Sequence, residues 1–410
     1  MEIQPKRKEI FSWSLYDFAN SAYASLIPVL LFPLFYKSVI LGNSPNADLW
    51  WGIAVGLSIL LSGLLSPVIG ALADLTQRRK ILFILSSLSA IIGTAIFAFT
   101  SNLLPLIATI IFILTNMVFN IALNLYDSLL FNVSSQKTSG NVSNFAWGIG
   151  YAGGILATLL VYPLLRLGET SSYFKFSFIV VALFYLIFSL PAFFNIKEIT
   201  ITKEKIKNPV RSSFKNIFNT LKNWRQYKYL LVFLLAFYFL TEGIVTLTYF
   251  ISLYSSTTLN LAANKIAIIF IIGQLVAVPT TIITGKISNK VEYKKILIFT
   301  LFLLIISTIL LGLAKGIGML YIVAILTGLV LGGSQATARA WYNNIIPFEK
   351  RSELFGFNSL ASKISATIGP ALFGVISVTI NQRIAVFFTV IYFVLSLIFF
   401  ANVKNVKEEI

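Results

Sequence analysis

The stretch 296-ILIFTLFLLIISTILLGLA-314 contains no charged side chain, and its only polar side chains are hydroxyls. A helix of about 20 such residues crosses the ~30 Å hydrocarbon core of a bilayer. The apolar residues are continuous and do not alternate with polar ones, which argues against a strand of a membrane barrel. The stretch therefore predicts a transmembrane helix.

Similar runs recur along the whole chain of 410 residues, which is 57% hydrophobic and only 11% charged. A soluble protein of this size could not cover its surface with so few polar residues. We predict an all-α integral membrane protein with twelve transmembrane helices. Their predicted bounds are 13–36, 50–73, 81–99, 103–126, 145–167, 174–194, 229–254, 266–285, 296–314, 317–341, 354–380 and 384–401.

The basic residues predict the orientation of these helices. An even number of spans puts both termini on one side, and the loops of that side hold 24 Lys and Arg residues against 6 on the other. Positively charged loops stay in the cytoplasm. We therefore expect both termini in the cytoplasm and the chain in the plasma (inner) membrane, its basic face near anionic lipid. The net charge of +17 does not predict nucleic-acid binding, because no soluble basic domain is long enough.

The chain divides into two halves, residues 1–195 and 229–410, joined by a basic linker at 196–228. The halves resemble each other. Residues 70–80 and 285–295 each begin with Gly and end with two basic residues, at a shift of 215 positions. The equivalent residues of spans one and seven are Asp17 with Glu242 and Ser21 with Thr246. This duplication predicts two pseudo-symmetric six-helix bundles with a substrate site between them.

Span four carries Asn116, Asn120, Asn124 and Asp127 at spacings of four, four and three, on one helical face. Two interpretations are open: the stripe lines a cavity, or it forms a hydrogen-bonded seam between helices. We favour the cavity, because the stripe covers most of the membrane thickness. Asp127, near the cytoplasmic end, could serve only as a gate or clamp.

Span ten carries Gln335 and Arg339 at a similar helical spacing. The Arg339 guanidinium keeps its proton and can bind a carboxylate through two hydrogen bonds. Its partner could be a substrate carboxylate, or it could be an internal acid such as Asp17, Asp127 or Glu242. Both alternatives remain open.

Other ionisable groups lie inside predicted spans, where they are expensive unless they face a bundle interior or a water-filled path. Tyr16, Asp17 and Asn20 form a polar face of span one, and Glu242 lies near the middle of span seven. We expect these residues to line the pathway of a substrate or ion, with the carboxyl groups exchanging protons. Lys363 of span eleven could lose its proton, act as a counter-ion of the cavity or extend to the membrane surface, and we favour the counter-ion.

Several function classes are excluded by residue types. The chain has no Cys and no His, which excludes thiol chemistry, a His proton relay and a His-ligated metal. We find no nucleophile with a base and no phosphate-binding loop. The sequence therefore predicts that the protein is not an enzyme and uses no cofactor. It shows no nucleotide-binding domain, so ATP hydrolysis by this chain is excluded as an energy source.

Residues 70-GALADLTQRR-79 resemble the loop motif of the major facilitator superfamily between spans two and three. The superfamily usually has a basic residue directly after the Asp, where this chain has Leu75. The retained residues are Gly70, Asp74, Arg78 and Arg79. The resemblance implies that these four residues form a cytoplasmic gate and do not touch the substrate.

A more specific resemblance covers nearly the whole chain. The segments 13-WSLYDFANSAY-23, 150-GYAGG-154, 332-GGSQATAR-339 and 355-FGF-357 are similar, in this order, to signatures of the vacuole effluxer-like family of the same superfamily. Where that family usually has Asp-Gly in span seven, this chain has Glu242-Gly243. The resemblance implies a twelve-helix transporter that works by alternating access. Fungal members are associated with efflux of amino acids from the vacuole.

We therefore expect a proton-coupled secondary transporter of a small polar solute, with an amino acid or a similar zwitterion as the favoured solute. The alternatives are an uncoupled facilitator of another small solute and a membrane receptor that does not transport. The expected partners are the solute, membrane lipid and protons, and the expected state is a monomer.

Overall fold

The computed structural model describes residues 7–134, 139–168, 170–198, 228–288, 290–345 and 351–403. Within these ranges all regular elements are helices. The side chains of Asp74 and Arg339 lie outside the described residues, so only the positions of their helices are used. The linker prediction at 196–228 falls mostly outside them as well.

Twelve long helices follow one another in the described residues, and they confirm the predicted all-α fold. They are α1 (Arg7–Ile40), α2 (Ala47–Thr76), α3 (Arg79–Ile96), α4 (Pro105–Ser128), α5 (Ser139–Leu167), α6 (Ser171–Asn195), α7 (Lys228–Thr257), α8 (Ala263–Ile287), α9 (Tyr293–Leu313), α10 (Ile317–Ile345), α11 (Arg351–Thr379) and α12 (Gln382–Asn402). Eleven are long and apolar enough to cross a membrane over their described residues, and in α11 the apolar part Ala366–Thr379 is shorter.

Most helices extend beyond the predicted runs at one or both ends, because polar and basic flanking residues stay helical at the membrane surface. Helix α1 shows the largest difference. It is α-helical over Arg7–Leu26 and continues through π-helical turns at Ile27–Leu31 and Tyr36–Ile40. Pro28 and Pro33 lie in this region and have no N–H to donate, so wider turns accommodate them.

The two halves pack by the same scheme. Helix α1 packs on α5 and α6, α2 on α4, and α3 on α4 and α6; the equivalent pairs of α7 to α12 also pack. The predicted equivalence of Ser21 and Thr246 is visible in this packing. Each hydroxyl faces a glycine of the neighbouring helix: a Cβ on Gly150 of α5 would lie 3.1 Å from Ser21 Oγ, and a Cβ on Gly369 of α11 would overlap the hydroxyl of Thr246. The structure thus confirms two pseudo-symmetric bundles.

In each bundle one lysine of the repeated basic pair lies at the C-terminus of the last helix, although Lys80 and Lys294 differ by one position in the register of the repeat. Lys80 Nζ lies 3.5 Å from the carbonyl oxygen of Phe194, at the end of α6. Lys294 Nζ donates to the carbonyl oxygens of Ala401 at 2.7 Å and Val403 at 3.0 Å, at the end of α12. A cation at a helix C-terminus satisfies carbonyl groups that have no partner within the helix.

The two bundles meet along α2 and α11 and along α5 and α8. Small residues allow the first of these contacts. A Cβ on Gly56 would lie 2.7 Å from the carbonyl oxygen of Thr367, and one on Gly52 would overlap the carbonyl oxygen of Pro370. The backbones of α2 and α11 are therefore almost in direct contact, as small residues permit in membrane helices.

Candidate functional site

The predicted polar face of α1 divides between two environments. Asp17 is partly buried and accepts a hydrogen bond from Asn20 Nδ2 at 3.2 Å. Asp127 of α4 is a charged neighbour of Asp17 and is itself exposed. These residues therefore form an acidic group toward the terminal end of the first bundle, meaning the end that holds the chain termini.

Tyr16 lies instead in the core of the first bundle. It is 0% exposed, and its hydroxyl is 2.8 Å from Ser87 Oγ and 2.7 Å from the hydroxyl of Tyr185. Its ring packs edge-on against Phe83 and beside Tyr126. Tyr16 therefore joins α1, α3 and α6 in the core of the first bundle, and its predicted place in the pathway stays a prediction.

The asparagine stripe of α4 bonds to a line of serines on α2. Asn116 Nδ2 donates to Ser58 Oγ at 2.7 Å, and Asn124 Nδ2 donates to Ser66 Oγ at 2.7 Å. Asn120 Nδ2 donates to the carbonyl oxygen of Asn116. Asn116 is 1% exposed, whereas Asn120 and Asn124 are partly exposed. Asn116 and Asn124 therefore form a hydrogen-bonded seam between α4 and α2, and the lining of a cavity by the partly exposed Asn120 and Asn124 stays a prediction.

Lys363 connects the two bundles at that open end. Its Nζ donates to Ser66 Oγ at 3.2 Å, so the serine of α2 binds Lys363 of α11 and Asn124 of α4 together. Asp127 is a charged neighbour of this ammonium group. The side chain therefore points at the first bundle and does not extend to the membrane surface.

Glu242 lies inside the second bundle and is 0% exposed. A Cβ on Gly369 of α11 would overlap Oε1 of Glu242 and the hydroxyl of Thr246. Tyr392 of α12 is another neighbour of the carboxyl group. Asp17 and Glu242 are therefore equivalent in the duplication but differ in environment, because only Asp17 is partly exposed.

Two predicted groups are placed only in part. Gln335 is partly buried on α10, and Arg339 lies one turn further along this helix, so the partner of its guanidinium stays a prediction.

Between α2 and α3, Gln77 has a left-handed conformation with φ of 52°, and the backbone N–H of Lys80 donates to Glu198 Oε1 at 3.1 Å. The motif residues Gly70, Asp74, Arg78 and Arg79 flank this turn. Their gate function also stays a prediction.

The sequence analysis missed a polar cluster at the distal end of the bundles, the end remote from the termini. Asp48 is 4% exposed, and its Oδ2 accepts hydrogen bonds from Ser377 Oγ and Gln382 Nε2, both at 2.5 Å. Lys37 Nζ lies 3.9 Å from Asp48 Oδ1 and donates to Thr257 Oγ1 at 2.6 Å. We call these five residues the distal latch, because they join α1 and α2 to α7, α11 and α12.

A cavity of about 240 Å³ lies between α7, α8, α9 and α10, and residues of α1, α5 and α12 also line it. The side chains that line it are uncharged and mostly aliphatic. Its polar lining residues are Ser25, Tyr151, Thr248, Gln274, Ser307, Thr308 and Thr327. The ionisable residues that the sequence predicted for the pathway are not in this lining. Neutral residues such as Gln274 give no signal in a single sequence, because membrane helices commonly contain them.

Comparisons with known proteins agree with this architecture. A family described as "Vacuole effluxer Atg22 like" matches residues 51–409. The MFS-type transporter YxiO of Bacillus subtilis is 28% identical over 409 residues, which are 97% of this chain and 95% of that protein. Autophagy-related protein 22 of Eremothecium gossypii is 21% identical over 471 residues, with 99% of this chain and 92% of its own length covered.

Solved structures of transporters have the same fold. The xylose transporter XylE from E. coli, in a partially occluded inward-open conformation, superimposes with a TM-score of 0.75 at 14% identity and covers 97% of this chain and 98% of its own. At this identity the likeness concerns the fold alone.

Proposed function

Since the chain belongs to the vacuole effluxer Atg22-like family of the major facilitator superfamily, a family of transporters and not of enzymes, we propose that its solute is an amino acid or a similar small zwitterion. The multi-pass membrane fold and the transport function follow from the family. The class of solute, the coupling to protons and the residues involved are the proposal.

The observation that carries this proposal is the position of Lys363. Its ammonium group belongs to α11 of the second bundle but bonds to Ser66 of the first, beside the carboxylate of Asp127. A solute with both charges competes with this contact, because its carboxylate binds Lys363 and its ammonium group binds Asp127 or Asp17. Release of a contact between the bundles favours their movement relative to each other, as alternating access requires.

Arg339 is proposed as the second group that holds the solute carboxylate, through two parallel hydrogen bonds. The other predicted pathway residues, Asn20, Asn120, Asn124 and Gln335, would complete the polar route. The second bundle would hold the solute carboxylate and the first bundle its ammonium group. The solute could therefore be released from one bundle while it stays bound to the other.

The burial of Glu242 supports proton coupling. A carboxylate that is removed from water is stable only with compensating partners, so its protonation state is coupled to its packing. Here that packing joins α7 to α11 through Thr246 and Gly369. Uptake or release of a proton at Glu242 would therefore change how α11, the helix that carries Lys363, sits on α7.

The remaining finer features are also proposals. We place the protein in the plasma membrane as a monomer, with both termini in the cytoplasm. The bundles would comprise residues 1–195 and 229–410, joined by the basic linker 196–228. Asp74 with Arg78 and Arg79 would act as the cytoplasmic gate.

Transport by purified protein in liposomes tests the proposal, with radiolabelled amino acids and an imposed pH gradient. Glu242→Gln keeps the shape of the side chain but carries no proton, so we expect it to exchange solute while it loses accumulation against a gradient. Glu292→Gln is the matched control, because Glu292 is exposed and forms an exposed ion pair with Lys295 at 3.6 Å. It should accumulate solute like the parent.

Two results contradict separate parts of the proposal. If Glu242→Gln and Asp17→Asn both accumulate solute like the parent, coupling through these carboxyl groups is wrong and uncoupled facilitation becomes the better interpretation. If the parent exchanges none of the amino acids, the class of solute is wrong.

A further inference from the structure

The cavity of the second bundle is lined by uncharged side chains and is separate from the charged residues described above. It is lined by α7, α8, α9 and α10 and by Phe393 of α12, and Ser25 of α1 and Tyr151 of α5 line it on the side of the first bundle. Its volume of about 240 Å³ is below the 300–1,000 Å³ that is usual for drug-sized ligands. It therefore suits part of a solute, or a very small one.

Most hydroxyls in this wall are already bonded within their own helices. Thr248 donates to the carbonyl oxygen of Ile244 at 2.7 Å, and Thr308 donates to that of Leu304 at 2.7 Å. Ser25 and Thr327 make the same kind of bond. Such hydroxyls are satisfied without a ligand and contribute little to its recognition.

Gln274 and Ser307 differ from these residues. Gln274 Oε1 and Ser307 Oγ are buried and have no hydrogen-bond partner among the described residues. Ser307 is 1% exposed. A buried polar atom without a partner is rare and destabilising, and each such atom calls for an explanation. Two of them in the wall of one cavity point to a ligand that supplies the missing bonds.

Gln274 also lies at the contact of the two bundles. A Cβ on Gly154 of α5 would lie 2.6 Å from Gln274 Oε1 and 3.2 Å from Ser25 Oγ. The amide oxygen thus faces Gly154 and Ser25 at the contact of the two bundles and is covered by them in this structure. A solute reaches it when α5 and α8 move apart, as alternating access requires.

We propose that this cavity is a selectivity subsite, which receives an uncharged part of the solute that carries a hydrogen-bond donor, with Gln274 as the acceptor. This inference rests on the proposed function. Among amino acids, the subsite would select those whose side chains are neutral and end in O–H or N–H. Side chains with a charge are disfavoured, because the uncharged lining offers no partner to replace their water.

The buried acceptor sets the expected magnitude of the preference between solutes with and without the donor. A solute without the donor leaves Gln274 Oε1 unpaired, which predicts a preference of about 5- to 100-fold for the solute that has it. Tyrosine and phenylalanine differ only by such a donor, and threonine and valine form a second pair of similar shape.

The first experiment measures how well each member of these pairs competes in liposome exchange. The parent should prefer tyrosine and threonine, and Gln274→Leu should bring both ratios close to one. Thr280→Val is the matched control on the same helix, because the Thr280 hydroxyl bonds to the carbonyl oxygens of Val276 and Gly328 and does not line the cavity. It should keep the preference of the parent.

The second experiment is independent of amino acids. In this cysteine-free chain, Ser307→Cys places one thiol in the cavity wall, and Thr379→Cys places one at an exposed site of α11. We expect 4-methylphenol to slow thiol labelling at position 307 more than toluene does at the same concentration, with no effect at position 379. Adding Gln274→Leu should remove the difference between the two compounds.

The outcomes separate the two proposals. If 4-methylphenol protects position 307 selectively but no amino acid is exchanged, the subsite stands and the amino-acid proposal falls. If amino acids are exchanged but Gln274→Leu leaves the ratios unchanged, the transport proposal stands and the subsite falls. Equal protection by 4-methylphenol and toluene also overturns the subsite.

Discussion

The distal latch predicts that a single buried carboxylate holds the distal end of the transporter closed. Asp48 is in the first turn of α2, and its partners Ser377 and Gln382 belong to the other bundle. Asp48→Asn preserves the volume of the side chain but removes its charge. We expect the variant to fold normally, because each bundle keeps its own core, and to open at the distal end.

The magnitude follows from the contacts. Two hydrogen bonds to a charged oxygen become bonds to a neutral one, which weakens each from about 1.5–3 to about 1 kcal/mol. The attraction of Lys37, 3.9 Å away, is also lost. The lower desolvation cost of an amide offsets part of this loss. A net shift of about 1–3 kcal/mol toward the open state remains, which corresponds to about 5- to 150-fold. A conformer populated at about 1% would thereby become readily detectable.

Spin-label distances measure this shift without assumptions about orientation in the membrane. Thr170→Cys and Lys315→Cys introduce labels at exposed positions of the first and second bundles, and Thr170 makes no capping bond. In Asp48→Asn we expect a second, longer distance between the labels. Glu292→Gln, which removes the same charge from an exposed pair, should give the distances of the parent.

The refuting result is specific. If Asp48→Asn and the parent give the same distance distribution in liposomes, with and without a pH gradient, the cluster does not control distal opening. A shift of equal size in Glu292→Gln would attribute the effect to net charge and not to the latch.

Two further predictions concern the core and the topology. Tyr16→Phe removes a hydroxyl that bonds to Ser87 and Tyr185, so it should lower the free energy of unfolding by about 1–3 kcal/mol. The apparent affinity for solute should not change. A selective loss of affinity would instead place Tyr16 in the pathway. A single cysteine within 196–228 should react with an impermeant thiol reagent only after the membrane is permeabilised, and labelling in intact cells would reverse the proposed orientation.

The polar residues of α1 have surroundings that their spacing in the sequence did not predict. The spacing placed Tyr16 beside Asp17 on a polar face, yet the structure buries Tyr16 among Phe83 and Tyr126. In a water-soluble helix the hydrophobic stripe marks the buried side. In a membrane helix, lipid and protein interior are equally apolar, so the pattern does not tell which polar residue faces a cavity and which bonds to a neighbouring helix.

The contacts of the distal latch could not be predicted from the sequence either. Asp48 and Gln382 are 334 residues apart, and each looks like an ordinary residue at the end of a helix. A pairing at that separation depends on how the two bundles are positioned, which a single sequence does not specify. Gln274 and Ser307 became candidates only when the structure showed them in the wall of one cavity.

The sequence by itself determined that the chain crosses the membrane in twelve helices, that its halves are related by duplication, and which family it resembles. These properties depend on local sums of hydrophobicity and on short motifs, which need no knowledge of distant contacts. The tertiary structure decided which side of each helix faces the other bundle, that Lys363 contacts Ser66, and that the uncharged cavity lies within the second bundle. Those features depend on the relative rotation of packed helices, and in an apolar solvent that rotation is set by close packing and hydrogen bonds between helices.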